Sequence, residues 1–187
     1  MIERFDRILV LGHCGAGKST LAVELGERLR LPVVHLDRLS WLPGWEERDR
    51  ELFKNLQRDA AAGERWIIEG NYSSTLPLRL PRAQAAIWLD YPLWLCLWRI
   101  VRRLGQWRGR VRPDMGDGCP ERLNLEFIHW TITHHGVVRR RVRKLLHGQG
   151  AHIQLFRFTN PGQTRSFLRA LRPARPAAGQ APTATAP

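Results

Sequence analysis

The sequence predicts an α/β fold built on a mostly parallel, five-stranded sheet, and three observations carry that expectation. Short apolar runs of strand length alternate with longer stretches whose apolar residues recur at helical spacing. The first of those runs opens directly into a glycine-rich turn followed by a helix-like segment. Acidic residues stand at the ends of several runs, where an open α/β sheet presents its binding crevice.

The elements follow in order. Residues 7–11 read as a buried parallel strand, a continuous apolar run closed by Gly12. Residues 18–30 place Leu21, Leu25 and Leu29 on one helical face, and Leu31-Pro32 ends that helix. A second strand covers 33–36, with Asp37 directly after it. A helix is expected over 46–62, stopped by Gly63, and a third strand over 65–69, closed by Gly70-Asn71. The fourth strand, 85–89, ends at Asp90, and a helix follows over 93–104. An Arg- and Gly-rich segment spans 105–118. The pattern then predicts a helix over 121–146, with an interruption at Gly136, a fifth strand over 152–158 and a last helix over 163–171. From Arg172 the composition turns to Pro, Ala, Gly, Gln and Thr, so the tail 172–187 is expected to be disordered.

At 187 residues and 43% hydrophobic, the chain supports one domain with a sizeable core. Thirty Lys and Arg face 17 Asp and Glu, a net charge of +13 and an isoelectric point near 11.3. That imbalance suits an anionic partner, a polyphosphate or nucleic acid. Lysine is rare, at Lys18, Lys54 and Lys144. Three widely spaced cysteines, with no CxxC pair, argue against a zinc site or a disulfide framework. The charged start does not read as a signal peptide, and no apolar stretch approaches the ~20 residues of a membrane span. A cytoplasmic protein without membrane contact is expected.

The strongest motif is Gly12-His13-Cys14-Gly15-Ala16-Gly17-Lys18-Ser19, which meets G-x-x-x-x-G-K-[ST] at every fixed position. Small residues let the backbone curl so that successive N–H groups point at a phosphate, and the following helix aims its positive end at the same anion. Gly12, Gly15, Ala16, Gly17, Lys18, Ser19 and Thr20 are therefore the candidate nucleotide-binding residues, with ATP and Mg²⁺ as ligands. Lys18 reaches the transferring phosphate and Ser19 a Mg²⁺ ion.

Asp37 is the candidate acceptor-side group, able to orient or deprotonate a hydroxyl or to hold the metal through water; a helix cap or an Arg38 pairing is the structural alternative. Glu69 or Asp90 should complete the metal shell opposite Ser19, with Glu69 preferred because Gly70-Asn71-Tyr72 allows a tight turn beside a ligand, and Asp90 kept mainly as structural. Arg99, Arg102 and Arg103, with Arg108, Arg110 and Arg112, supply candidate lid cations. Trp41 and Trp45 could wall an acceptor pocket, while the other tryptophans are expected mostly in the core. The run Arg139-Arg140-Arg141-Val142-Arg143-Lys144 reads as a solvated face or a weak, non-specific nucleic-acid contact.

Taken together, the phosphate loop, Leu36-Asp37, Pro43-Gly44-Trp45, Trp66-Ile67-Ile68-Glu69-Gly70-Asn71-Tyr72, Trp88-Leu89-Asp90, Arg110-Val111-Arg112-Pro113-Asp114-Met115 and Cys119-Pro120-Glu121 resemble the adenylate-kinase-like P-loop proteins called DNA topology modulation proteins. The resemblance spans about residues 7–171. It implies a three-layer P-loop NTPase fold like that of nucleoside monophosphate kinases, a kinase-like domain over 1–171 and a lid-like segment over about 105–120. It also implies that Arg103, at the end of the helix after strand four, is the lid arginine. Related kinases end the third strand in Asp-Gly, where this chain has Glu69-Gly70. The expected function is an ATP- and Mg-dependent phosphotransferase on a nucleotide or other small acceptor, with Lys18, Asp37 and Arg103 as catalytic residues. The alternatives are an ATP-binding nucleic-acid-associated regulator and a simple NTP hydrolase.

Overall fold

A computed structural model describes residues 2–171, so the tail expected over 172–187 lies outside the described residues. In chain order the regular elements are β1 (Arg7–Gly12), α1 (Lys18–Leu29), β2 (Val33–His35), α2 (Leu36–Ser40), β3 (Trp41–Leu42), β4 (Glu46–Glu47), α3 (Arg50–Ala62), β5 (Trp66–Glu69), β6 (Ala85–Leu89), α4 (Leu93–Trp107), α5 (Leu125–His147), β7 (Gln154–Phe158) and α6 (Pro161–Ala170). Two short 3-10 turns, Leu76–Leu78 and Leu80–Arg82, lie between β5 and β6.

Five strands make one sheet in the order β2-β5-β1-β6-β7, every neighbouring pair parallel. The continuous apolar runs exist because this sheet is covered on both faces. Successive β1 side chains alternate between two cores. Ile8 and Val10 pack with Leu21 and Leu25 of α1 and Leu168 of α6. Leu9 and Leu11 pack with Phe53 of α3 and with Val142 and Leu146 of α5. The result is a helix–sheet–helix sandwich of three layers. All five strand carboxyl ends point to one edge, and the site gathers there.

Several expectations are corrected. The stretch from Glu46 does not enter a helix: Glu46 and Glu47 pair antiparallel with Leu42 and Trp41 in a small hairpin. The helix starts at Arg50 because the Asp49 carboxylate accepts the Glu51 and Leu52 amides. The five residues 36–40 form α2, so Asp37 sits in a helical first turn. The fourth helix runs on to Trp107, past Gly105. The fifth helix begins only at Leu125, capped by Asn124, and continues without a break through Gly136. β7 starts at Gln154, and α6 at Pro161 behind an Asn160 cap. Trp94, Trp98 and Trp130 are not core residues: they are 70%, 54% and 42% exposed. Trp66 and Trp88 are buried as expected.

Of the stretch expected as a lid over about 105–120, residues 105–107 finish α4 and the rest belongs to the irregular segment 108–124, held by bridges between Arg108 and Glu121 and between Val111 and Pro120. It docks on the β3–β4 hairpin. Gly44 N–H donates to the Gly118 carbonyl at 2.9 Å, and Trp45 Nε1 to the Pro120 carbonyl at 3.0 Å. The contact is close enough to demand glycine: a Cβ on Gly116 would lie 2.6 Å from the Trp41 carbonyl oxygen. Among the described residues, no helix is long and apolar enough to cross a membrane.

Candidate nucleotide and acceptor site

The phosphate loop joins β1 to α1 across residues 13–17. Gly15 takes φ +77 and presses on α4, where an added Cβ would meet the Cys96 carbonyl oxygen at 2.3 Å. Gly17 caps α1 in the left-handed region with no side chain on the helix amides, so the first-turn donors stay open to the cleft. The loop is braced from outside: Arg99 donates to the Ala16 carbonyl at 2.8 Å, and Gly12 N–H donates to the Asn71 side-chain oxygen at 3.0 Å. Lys18 Nζ donates to the His13 carbonyl at 3.4 Å. Gly12, Gly15, Ala16, Gly17, Lys18, Ser19 and Thr20 all line one large open cleft. Such a loop can encircle a phosphate and neutralise it with one ammonium.

Glu69, the last residue of β5, is 1% exposed and faces the loop. Its Oε1 accepts the Ser19 hydroxyl at 3.1 Å and His35 Nδ1 at 2.8 Å. Asp90 faces elsewhere: Arg139 Nε and Nη2 and Arg157 Nε donate to its carboxylate at 2.6, 3.0 and 2.8 Å. Those arginines, with the Asp90 amide bonded to the Phe158 carbonyl, tie α5 and β7 to the end of β6. Arg139 therefore leaves the basic run for a structural pair. A hard cation suits the Ser19–Glu69 hydroxyl and carboxylate. Among the described residues no group of three or more His, Cys, Asp or Glu would cage an ion alone. Mg²⁺ uses one or two protein oxygens and takes the rest from phosphate and water, and the Ser19–Glu69 pair is a donor set of that kind.

Asp37 stands on the opposite wall, where Tyr72 O–H donates to its Oδ1 at 2.8 Å. Burial raises the Asp37 carboxyl above the usual carboxylate range, the nearby Glu69 charge pushes the same way, and Lys18, Tyr72 and Arg112 oppose it. Trp41 and Trp45 meet edge to face, with centroids 5.5 Å apart, on the same wall. Burial also raises the Cys14 thiol, which disfavours a thiolate in the loop.

The 108–124 segment brings Arg112, Asp114 and Glu121 to the lining of the cleft. Arg103 Nε and Nη2 both donate to Glu121 Oε1, at 3.0 and 2.8 Å. Arg112 Nη1 donates to Asp114 Oδ2 at 2.7 Å, and its Nε makes an ionic contact with Glu121 Oε2 at 2.8 Å. Burial works to raise the Asp114 carboxyl, but Arg112 and the Ser19 hydroxyl outweigh it and hold it low. Arg108 and Arg110 are exposed. Arg103 thus sits in an alternating chain of charges instead of projecting freely.

Sequence reasoning missed His35, Asp114, Glu121 and Arg79. Arg79 is fully buried and donates to the carbonyls of Gly70 at 3.1 Å and Asn71 at 2.9 Å, which holds the turn that presents Asn71 and Tyr72. Burial lowers its guanidinium to about 9. His35 carried a signal in its place two residues before Asp37 at the end of a strand, and Asp114 and Glu121 stood inside the segments 110–115 and 119–121 that carry the resemblance.

The chain matches no family model and no curated protein sequence. Its structure is similar to solved kinases. The fold is that of the P-loop kinases. Shikimate kinase from Acinetobacter baumannii, solved with shikimate, aligns at TM-score 0.53 and 16% identity over 90% of this chain and 91% of its own. Shikimate kinase from Bacteroides thetaiotaomicron aligns at TM-score 0.50 and 17% identity over 88% and 95%. Deoxyadenosine kinase from M. mycoides, solved with dCTP, gives 0.48 and 11% over 87% and 97%.

Proposed function

We propose that this chain is an ATP-dependent phosphotransferase that moves a phosphoryl group to the hydroxyl of a small acceptor. One observation carries the reading: a phosphate loop and a paired carboxylate, Asp37, face each other across a single cleft roofed by a lid rich in arginine. A hydrolase or a nucleotide switch has no need of a built acceptor wall.

In this reading the loop amides and Lys18 hold the β- and γ-phosphates, and Ser19 with Glu69 holds Mg²⁺, directly or through water. The ion, when bound, supplies charge neutralisation between the phosphates. Thr20, exposed in the first turn of α1, lines the same cleft beside the loop. Asp37 accepts the acceptor's O–H proton as the oxygen attacks the γ-phosphorus; the P–O bond to ADP breaks and the phosphoester forms. Its raised pKa brings it nearer to that duty than an ordinary carboxylate. Arg103 and Arg112 line the same cleft, and in this reading they exchange part of their pairing with Glu121 for the phosphoryl oxygens as negative charge spreads in the transition state. His35 holds the Glu69 carboxylate in place.

The test is stoichiometric: ADP formed against phosphorylated product, across nucleosides, nucleotides and small alcohols. ADP release matched by a phosphorylated acceptor supports the proposal; ADP matched only by free phosphate makes the chain a hydrolase. The resemblance to topology modulation proteins offers a nucleic-acid reading, and exposed Arg140, Arg141 and Arg143 on α5 are the feature that favours it. Binding of supercoiled DNA that persists at physiological salt and responds to ATP is the result that would promote it.

A further inference from the structure

α4 carries two apolar faces. The inward one holds the phosphate loop: Cys96 and Ile100 are buried there, Gly15 presses on the Cys96 carbonyl, and Arg99 donates to the Ala16 carbonyl. The other face looks into solvent. Trp94, Trp98 and Val101 are 70%, 54% and 62% exposed. With Gly105 they recur at intervals of four, three and four residues, the spacing of a coiled-coil seam. At about 100° per residue these positions form one narrow stripe on the side of the helix away from Cys96 and Ile100. No acidic residue occurs anywhere in 93–107.

We propose that the occupant of this stripe is α4 of a second copy of the chain, packed antiparallel about a two-fold axis. The order of side-chain sizes selects it. From its N-terminal end the stripe runs large, large, medium, absent: Trp94, Trp98, Val101, Gly105. An antiparallel copy reverses that order, so Trp94 lies over the partner's Gly105 and Trp98 over the partner's Val101, and the same contacts repeat on the other side of the axis. Gly105 is the telling position. Among the described residues, a Cβ added there meets nothing within 4 Å, so nothing inside one copy calls for glycine. Glycine inside a helix weakens it, and a hollow that receives an indole supplies the reason for its place. A lipid surface has no use for a hollow; it takes a continuous apolar ridge.

Charge and area agree with a second copy. Arg102 borders the stripe, its guanidinium 5.6 Å from the Trp98 ring centroid. In the reversed register it comes opposite the partner's Leu97, so the two copies of a strongly basic chain meet without apposing like charges at the seam. Taking about 250 Å² for a whole indole side chain, Trp94 and Trp98 alone present roughly 300 Å² to solvent, a patch large enough to mark an interaction site. Two copies, with Val101, Leu97 and Arg102 added at the margins, cover about 1,000 Å², the lower bound for a specific interface and the size of a reversible dimer. The two tryptophans are residues of the type that anchors such interfaces. Because the inward face of the same helix braces the phosphate loop, each nucleotide site rests on the shared seam.

The experiment is sedimentation of the full chain from low to high micromolar concentration, at physiological salt so that the repulsion between basic copies is screened. The native chain is expected to pass from monomer to dimer across the series. Trp98→Glu puts a carboxylate into the seam and should weaken the dimer by roughly thirtyfold or more. Gly105→Leu separates assembly from folding. Its side chain enters open space in one copy and leucine favours the helix, so the melting temperature should hold or rise while the filled hollow abolishes the dimer. A native chain that stays monomeric throughout overturns the proposal, as does a dimer that survives both substitutions. Vesicles containing anionic lipid form the second arm: a monomer that binds them, and binds them as well or better with Gly105→Leu, assigns the stripe to a lipid surface and overturns the second copy.

Discussion

His13 gives the phosphate loop a built-in sensitivity to acid. Its ring is 7% exposed, donates from Nε2 to the Thr131 carbonyl at 2.9 Å, lies 6.0 Å from Trp130 in a stacked arrangement and meets His135 edge-on at 4.9 Å. Burial lowers its pKa to about 4; the Thr131 bond opposes this, while His135, Lys18 and His134 add to it. The unfolded chain takes up this proton near 6.5 and the folded chain only near 4, so between those values the unfolded state binds more protons. Stability from His13 is therefore complete above pH 6.5 and lost as the pH falls toward 4. A gap of about 2.5 in pKa, at about 1.36 kcal/mol each, is on the order of 3 kcal/mol. The perturbation is His13→Gln, whose amide can still donate to Thr131 but does not titrate. Urea unfolding from pH 4 to 7.5 on both proteins cancels the other titrating groups in the difference. The advantage of the native His13 over Gln should shrink by roughly that amount across the window. A difference that stays flat with pH refutes the argument that His13 is held neutral by burial.

The other expectations concern turnover. Lys18→Ala should cut phosphoryl transfer by on the order of 10²–10⁴, read as initial rate, because no other loop side chain is cationic; an unchanged rate removes the loop from the chemistry. Asp37→Asn should leave ATP affinity close to native while acceptor phosphorylation collapses, and an equal loss of both, by calorimetry and product assay, would reassign Asp37 to the metal or to folding. Arg103→Ala should lower kcat more than it raises KM for ATP, as for a contact made mainly in the transition state. Arg79→Met should destabilise the fold by about 2–5 kcal/mol in urea unfolding, because the buried Gly70 carbonyl and the half-buried Asn71 carbonyl lose their donor.

The layered core was legible because its signal is local. The continuous apolar run of β1 and the leucines of α1 report burial directly, and the phosphate loop is a contiguous motif set by backbone needs. The β3–β4 hairpin was not legible: Glu46 and Glu47 sit in a charged stretch that continues smoothly into α3, and only Asp49 marks the break. The exposure of Trp94 and Trp98 was hidden because composition cannot say which face of α4 lacks a partner. At the site, Glu69 and Asp90 are equivalent as strand-end acids. What separates them is the arrival of Arg139 and Arg157 from elements 49 and 67 residues further along the chain, which no local pattern encodes. Arg79 and Glu121 were missed for the same reason, since their partners are backbone carbonyls and distant guanidinium groups.

The strand order has a consequence for how the molecule is made. β1, the earliest strand of the sheet, is its centre, yet Arg7 pairs with Trp66 and Ile8 with Ala85, neighbours 59 and 77 residues away. At ribosomal speeds of roughly 5–20 residues per second, that leaves the apolar Ile8–Leu11 segment unpaired for several seconds of synthesis. High contact order makes the later zippering slow as well. The central strand is thus the one that spends longest as a sticky nascent segment, a natural client for a chaperone at the exit tunnel.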